Sequence, residues 1–210
     1  LASKPLALVE IGTSAALQLL WDHYHYCYAH GEEAGDPASP VRIAAEIRGE
    51  RRPAIGQSLP PVAQRIGIDL HLMDLTQEEH ALWLKALIWP EHHDRRALLE
   101  QAVQVLRKQH GALQLLEGDG ISLLPHVLQQ VDQESTLVIF HTHVANQFSP
   151  EDKSRLRQEV QRIGREREVF HLYNNMEDRH LHLESFVGGT HHRQLMARTD
   201  GHGRWFTWEA

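Results

Sequence analysis

Four short segments hold residues able to bind or activate a ligand. They are Glu10-Ile11-Gly12-Thr13-Ser14, Asp69-Leu70, Gly118-Asp119-Gly120 and His141-Thr142-His143. Glycine at position 12 permits a tight turn and a close approach of ligand to backbone. Free amides at the start of a following helix, with the hydroxyls of Thr13 and Ser14, suit a carboxylate or similar anion. An ionised carboxylate only accepts hydrogen bonds. Asp69 therefore suits the hydroxyls of a ribose, and Asp119 an exocyclic amine such as that of adenine. Glu10 can meet a cofactor amine or cap a neighbouring helix. Asp69 and Asp119 also have an ordinary use as helix N-caps.

His141 and His143 are two positions apart on or just past a strand, so their imidazoles share a side. Imidazole titrates near neutral pH and serves as a general base. The same pair is two-thirds of a zinc site. His180, His182 and Glu184 form a second run in the same phase, which the fold would have to bring across.

These segments work together only if each lies at the carboxyl end of a strand in one sheet. The pattern supplies such strands. "LALVEI" at 6–11 reads as a buried strand followed by a helix at 14–21. "YHYCY" at 24–28 and "VRIAAEI" at 41–47 read as the two arms of a β-hairpin inserted after that helix, with loop from 49 to 61. "RIGIDL" gives the strand ending at Asp69, and "LQLLEGDG" the one ending before Asp119. "TLVIFHTHV" is the most apolar strand, and "EVFHLYN" follows it. Helices are expected at 76–88, at 94–109 with Asp94 as N-cap, and at 123–131 starting near Pro125. A further helix follows Ser149, with Pro150 in its first position and Asp152 at capping-box spacing. Three strands close the chain, at "HLHLESFV", "HRQLMAR" and "RWFTWE". Alternating strands and helices predict a mostly parallel sheet, and the strand-rich end an antiparallel edge. Trp83, Trp89 and Pro90 are expected in the core, and Asp22, Tyr24 and Tyr26 in a packed hairpin or a lid.

Composition narrows the classes. The 210 residues suffice for one α/β domain with a sizeable core. A formal net charge of -7 argues against a duplex nucleic-acid binder, whose affinity rests on phosphate neutralisation. No apolar run is long enough to span a bilayer, and no membrane partner is expected. The single cysteine, Cys27, excludes an internal disulfide and any multi-cysteine metal cluster, which fits a reducing cytoplasm. It lies in an apolar strand without an activating neighbour in sequence and reads as structural. The 17 histidines are the compositional oddity. The chain opens at Leu1 shortly before a core strand and reads as a fragment or processed product.

The order of these segments resembles the class I S-adenosylmethionine-dependent methyltransferases. "LVEIGTSAA" is similar to their first motif, and "RIGIDLHLMDL" to their second, with Asp69 at the ribose position. "LQLLEGDGISLLP" is similar to the third, with Asp119 on the adenine side, and "TLVIFHTHVANQFSPEDKSRL" to the fourth strand and its helix. The resemblance covers residues 6 to 175 and implies a Rossmann-like three-layer sandwich. It implies S-adenosylmethionine held by Glu10, Gly12, Thr13, Ser14, Asp69, Leu70, Gly118, Asp119 and Gly120. It also implies methyl transfer to an unknown acceptor, a small-molecule substrate being expected; His141 or His143, at the expected mouth of the pocket, is the candidate base. Those enzymes usually carry two or three glycines in the first turn, where this chain has Gly12 followed by Ala15 and Ala16. A zinc-dependent hydrolase built on the His141/His143 pair, and a non-catalytic domain that has lost the cofactor, are the competing readings.

The same stretches, with "WLKALIWPEHHDRRALLEQA" and the terminal "DGHGRWFTWE", are also similar to a bacterial family known only as a domain of unknown function. That likeness extends over nearly the whole chain. Members of that family usually continue upstream of the first strand.

Overall fold

A computed structural model of the chain describes residues 4–29, 31–56 and 59–210. The expected loop at 49–61 therefore falls partly outside the described residues, at 57 and 58. Strand β1 is Leu6–Ile11, β2 is His25–Tyr28, β3 is Glu33–Gly35, β4 is Arg42–Arg48 and β5 is Val62–Asp69. Helices α1, Glu78–Ala86, and α2, His93–Gln109, lead to β6, Gln114–Glu117. Helix α3, Gly120–Leu128, precedes β7, Thr136–His141, and α4, Pro150–Glu166, precedes β8, Val169–Tyr173. Strands β9, Leu181–Val187, β10, Thr190–Thr199, and β11, Trp205–Trp208, end the chain.

The eleven strands form one open sheet in the order β3-β2-β4-β11-β10-β9-β8-β7-β1-β5-β6. From β8 to β6 every pairing is parallel. The pairings of β8 with β9, β9 with β10 and β10 with β11 are antiparallel, which gives the expected strand-rich end. Successive residues of β1 point to opposite faces. Ala7, Val9 and Ile11 pack with α3 and α4 through Ile121, Leu124, Leu156 and Val160. Leu8 faces the other way, onto Leu19, Leu20 and the α2 residues Ala102, Val103 and Leu106. Helical layers therefore cover both faces of the parallel region, and the loops at its carboxyl end stay free to form a site.

Helix α4 forms as its sequence predicts. Ser149 caps it by accepting from the amide of Asp152 at 3.0 Å, Pro150 is its first residue, and Leu156, Val160 and Ile163 are its buried stripe.

Five expectations are corrected. No α-helix spans 14–21. Ser14 and Ala16 have φ of 51° and 60°, a left-handed conformation that breaks a right-handed helical run, and only a 3-10 helix forms, at Gln18–His23. Arg65 holds that segment with two 2.8 Å bonds to Asp22 and one to the carbonyl of Leu19, so Asp22 and the buried Tyr24 are structural. Strands β2 and β4 are not hairpin arms: they pair in parallel, and the hairpin partner of β2 is the short β3. Helix α3 starts at Gly120 rather than 123, because Asp119 caps it and Pro125 is accommodated inside. The N-cap of α2 is His92, with Asp94 in the first turn. Trp83, Trp89 and Pro90 are not core residues: Trp83 is 61% exposed on α1, which turns no residue fully inward, and Trp89, 69% exposed, and Pro90 lie on the exposed segment after it.

Candidate functional site

The ends of β1, β5 and β6, with the loop after β7, surround a cavity of about 610 Å³. Strand β1 connects forward to β5 on one side and pairs with β7 on the other, so the cavity lies where the direction of winding reverses. Ligands of open α/β sheets bind at such points. Gly12, Ser14, Asp69, Leu70, Gly118, Asp119, Gly120 and His143 all line it. Positions far apart in the chain thus converge because they follow neighbouring parallel strands.

The turn after β1 is tightly built. Gly12 has φ of +76°, and a Cβ there would lie 2.5 Å from Val144 Cβ. Its amide and that of Thr13 both donate to the carbonyl of Ile68, at 2.8 and 3.2 Å. The amide of Ser14 donates to Asp69 Oδ2 at 2.7 Å. The turn amides are therefore engaged by β5 rather than directed at the cavity, and no helix N-terminus stands behind them.

Asp69 also accepts from the amide of His71 at 3.2 Å. Asp119 accepts from Ile121 N at 3.2 Å and from the Ser122 hydroxyl, with Arg155 at 3.8 Å. Asp69 is thus oriented by its own loop and by the turn after β1, Asp119 by the first turn of α3, and each still has acceptor capacity towards the cavity. Asp152, from the first turn of α4, adds a third carboxylate, held below the usual range by the Ser149 hydroxyl. Ile11, Ile68, Ile121 and Phe148 give the cavity its apolar lining.

Three expected residues are not among those lining the cavity. Glu10 is 1% exposed and accepts from the Thr13 hydroxyl at 2.6 Å, beneath the turn. Gly67 makes room for that hydroxyl, since a Cβ there would lie 2.7 Å from it. Burial pushes the Glu10 carboxyl up to about 8; the Thr13 hydrogen bond opposes the rise and the charge of Asp69 adds to it. Glu10 and Thr13 form a buried pair supporting the turn.

His141 is fully buried, and neither ring nitrogen has a hydrogen-bond partner among the described residues. It packs on His171, ring centroids 5.2 Å apart, and is stacked on Tyr173 at 5.8 Å. Burial first, then the neighbouring His171, hold its pKa well below the ordinary value. Oxygen Oε2 of Glu184 is 3.7 Å from His171 Nδ1, too far for a hydrogen bond. Glu184 instead pairs with His191 at 2.6 Å, and His182 with Asp178 at 2.9 Å.

His143 is separated from His141 by the strand end. It adopts φ of 64°, and its amide donates to Asn174 Oδ1 at 2.8 Å. Among the described residues, no group of three clustered ligand atoms includes either histidine.

A second cavity, of about 680 Å³, adjoins the first and shares Thr142 and His143 with it. Arg95, Arg179, Asn174 and the 199–203 turn also line it. Sequence reasoning missed these residues, and missed His71, Gln147 and Phe148 in the first cavity. Apart from Arg95, in the first turn of α2, and Thr199, at the end of β10, they come from loops, where no periodic pattern marks an inward side.

Fold and site together define a mixed α/β protein with a large, mostly parallel open sheet and a ligand-sized cleft at its carboxyl edge. The chain belongs to the family described as "uncharacterized protein conserved in bacteria (DUF2332)", whose model matches residues 1–208. Comparison with curated proteins and with solved structures gave no match. No helix among the described residues is long and apolar enough to cross a membrane.

Proposed function

We propose that the chain binds S-adenosylmethionine in the 610 Å³ cavity and passes its methyl group to an acceptor seated in the adjoining one. The observation that supports this reading best is the meeting of Asp69 and Asp119, from consecutive strand ends, in one cavity. The volume suits a nucleoside-sized ligand, and the apolar lining suits a purine. Three carboxylates favour a ligand that is rich in donors and carries positive charge.

The nucleoside half fits this donor and acceptor set. Asp69 would accept from ribose hydroxyls and Asp119 from the adenine amine, with Leu70, Ile121 and Phe148 beside the base. The methionine half fits less closely. The amides of Gly12, Thr13 and Ser14 are already engaged, so its carboxylate would depend on side-chain donors such as Gln147 and His143. The bound cofactor would supply an electrophilic methyl sulfonium. His143, which lines both cavities, would hold the acceptor and take its proton. His141 would not act as the base, because its ring is enclosed.

Calorimetric titration with S-adenosylhomocysteine and, separately, adenosine tests the proposal. Binding of the first, with about 2.7 kcal/mol of added stability at 100 times its dissociation constant, is expected. Binding of adenosine alone would move the assignment to another nucleoside ligand. No heat and no thermal shift with either would overturn the nucleoside reading.

A further inference from the structure

We propose a divalent-metal site of the zinc class on the β2–β3 hairpin, formed by His25, Cys27 and Glu33 and separate from the cleft. His25 and Cys27 are two apart on β2 and so share a face. Glu33 is the cross-strand partner of Cys27, which puts its side chain on that face too. Gly35, opposite His25, contributes no side chain there. One ligand atom from each of the three residues lies within 4.8 Å of the others.

The distances approach those of a tetrahedral site. Zinc–nitrogen and zinc–oxygen bonds of about 2.0–2.2 Å at tetrahedral angles put nitrogen and oxygen about 3.3–3.5 Å apart. His25 Nε2 and Glu33 Oε2 are 3.3 Å apart. A zinc–sulfur bond of about 2.3 Å implies sulfur and nitrogen about 3.6 Å apart. Cys27 Sγ is 4.0 Å from His25 Nε2, so that pair needs to close by a few tenths of an ångström, and the sulfur and the Glu33 carboxylate lie within 4.8 Å of each other.

The His25 side chain is 4% exposed and fixed, while that of Glu33 is 57% exposed and can adjust. Arg42, the neighbour of His25 on β4, donates to the sulfur at 3.5 Å. A ligating thiolate keeps lone pairs for such a bond, so Arg42 is placed as an outer partner of the sulfur. One sulfur, one imidazole and one carboxylate favour a borderline-soft divalent ion over magnesium or calcium, which prefer all-oxygen sets. Three protein ligands leave the fourth position to solvent. Because β3 is the outermost strand of the sheet and only three residues long, the ion would tie down that edge.

Cobalt(II) is the direct probe, because Cys27 is the only cysteine and any sulfur-to-cobalt charge-transfer band must come from it. Metal-free protein titrated with cobalt(II) is expected to develop that band to one equivalent, and zinc(II) to displace it. Cys27→Ser should abolish the band. His25→Ala and Glu33→Gln should weaken binding by more than the roughly 10–100-fold that loss of an outer partner costs. His141→Leu should leave it intact. Circular dichroism of each metal-free variant confirms that it is folded. Absence of a sulfur–cobalt band in the wild type, or zinc uptake by Cys27→Ser and His25→Ala as tight as the wild type's, would overturn the site.

Discussion

The backbone amide of Ser14 donates a 2.7 Å hydrogen bond to Oδ2 of Asp69, across 55 positions of sequence. The bond ties the turn after β1 to the end of β5 and fixes the carboxylate at the cavity mouth. Asp69→Ala should therefore lose stability as well as ligand. A cost of about 1–2 kcal/mol is expected, because two backbone amides lose their acceptor. Asp69→Asn keeps one acceptor oxygen where two amides donate to two, so it should recover only part of the loss. Urea unfolding of the three proteins checks this; equal midpoints would mean that water replaces the carboxylate without penalty.

Asp119 caps α3 and lines the cavity, and the two roles separate by substitution. Asparagine caps about as well as aspartate, so Asp119→Asn should keep stability within a few tenths of a kcal/mol. Losing the charge should weaken binding of S-adenosylhomocysteine by about 1–2 kcal/mol. Melting and titration of the same sample decide it. Unchanged affinity would leave Asp119 as a cap alone.

Gly12→Ala meets two obstacles, a positive φ and the side chain of Val144. The strain of a left-handed alanine costs about 1–2 kcal/mol, and overpacking about 1–3 kcal/mol more. Adding Val144→Gly, which removes the Cβ at 2.5 Å as well as both Cγ atoms, should relieve the second part and leave the first. A double-mutant cycle that shows no coupling would contradict the contact.

Glu10 holds its proton in the folded state up to about pH 8, against an ordinary value of 4.5. A raised pKa stabilises fully below the unfolded value and loses that stability as pH rises through the folded one. Stability should therefore fall between about pH 4.5 and 8. Glu10→Gln, which can still accept from Thr13, should remove that slope and gain on the order of 3 kcal/mol at pH 7. Unfolding curves across this range are the test, and parallel profiles for the two proteins would refute it.

His141 shifts the other way, because burial favours its neutral form. The unfolded chain takes up the proton first, so this contribution is present above pH 6.5 and is lost as pH falls below it. His141→Leu replaces two unpartnered ring nitrogens by an apolar side chain of similar size. It should match or exceed the wild type at pH 7 and lose less stability on acidification. A marked loss at pH 7 would mean that the imidazole has a polar partner.

The pattern of apolar runs determined the strands of the parallel region, because strands buried between two helical layers are apolar at nearly every position. It also determined helix α4, whose cap, proline and buried stripe are local signals. The convergence of Gly12, Ser14, Asp69, Asp119 and His143 was legible too, because residues after neighbouring parallel strands must meet at one edge.

Tertiary structure alone decided the rest. Glu10 and His141 differ from cavity residues only in where their side chains point, and a strand-end position does not reveal that. Strands β2 and β4 have the alternation of hairpin arms, yet pair in parallel, with β3 as the antiparallel partner of β2 and β11, from the far end of the chain, on the other side of β4. The grouping of His25 and Cys27 with Glu33 likewise follows from which strand lies beside β2. Pairing is a long-range choice made by packing, and local propensity carries no record of it.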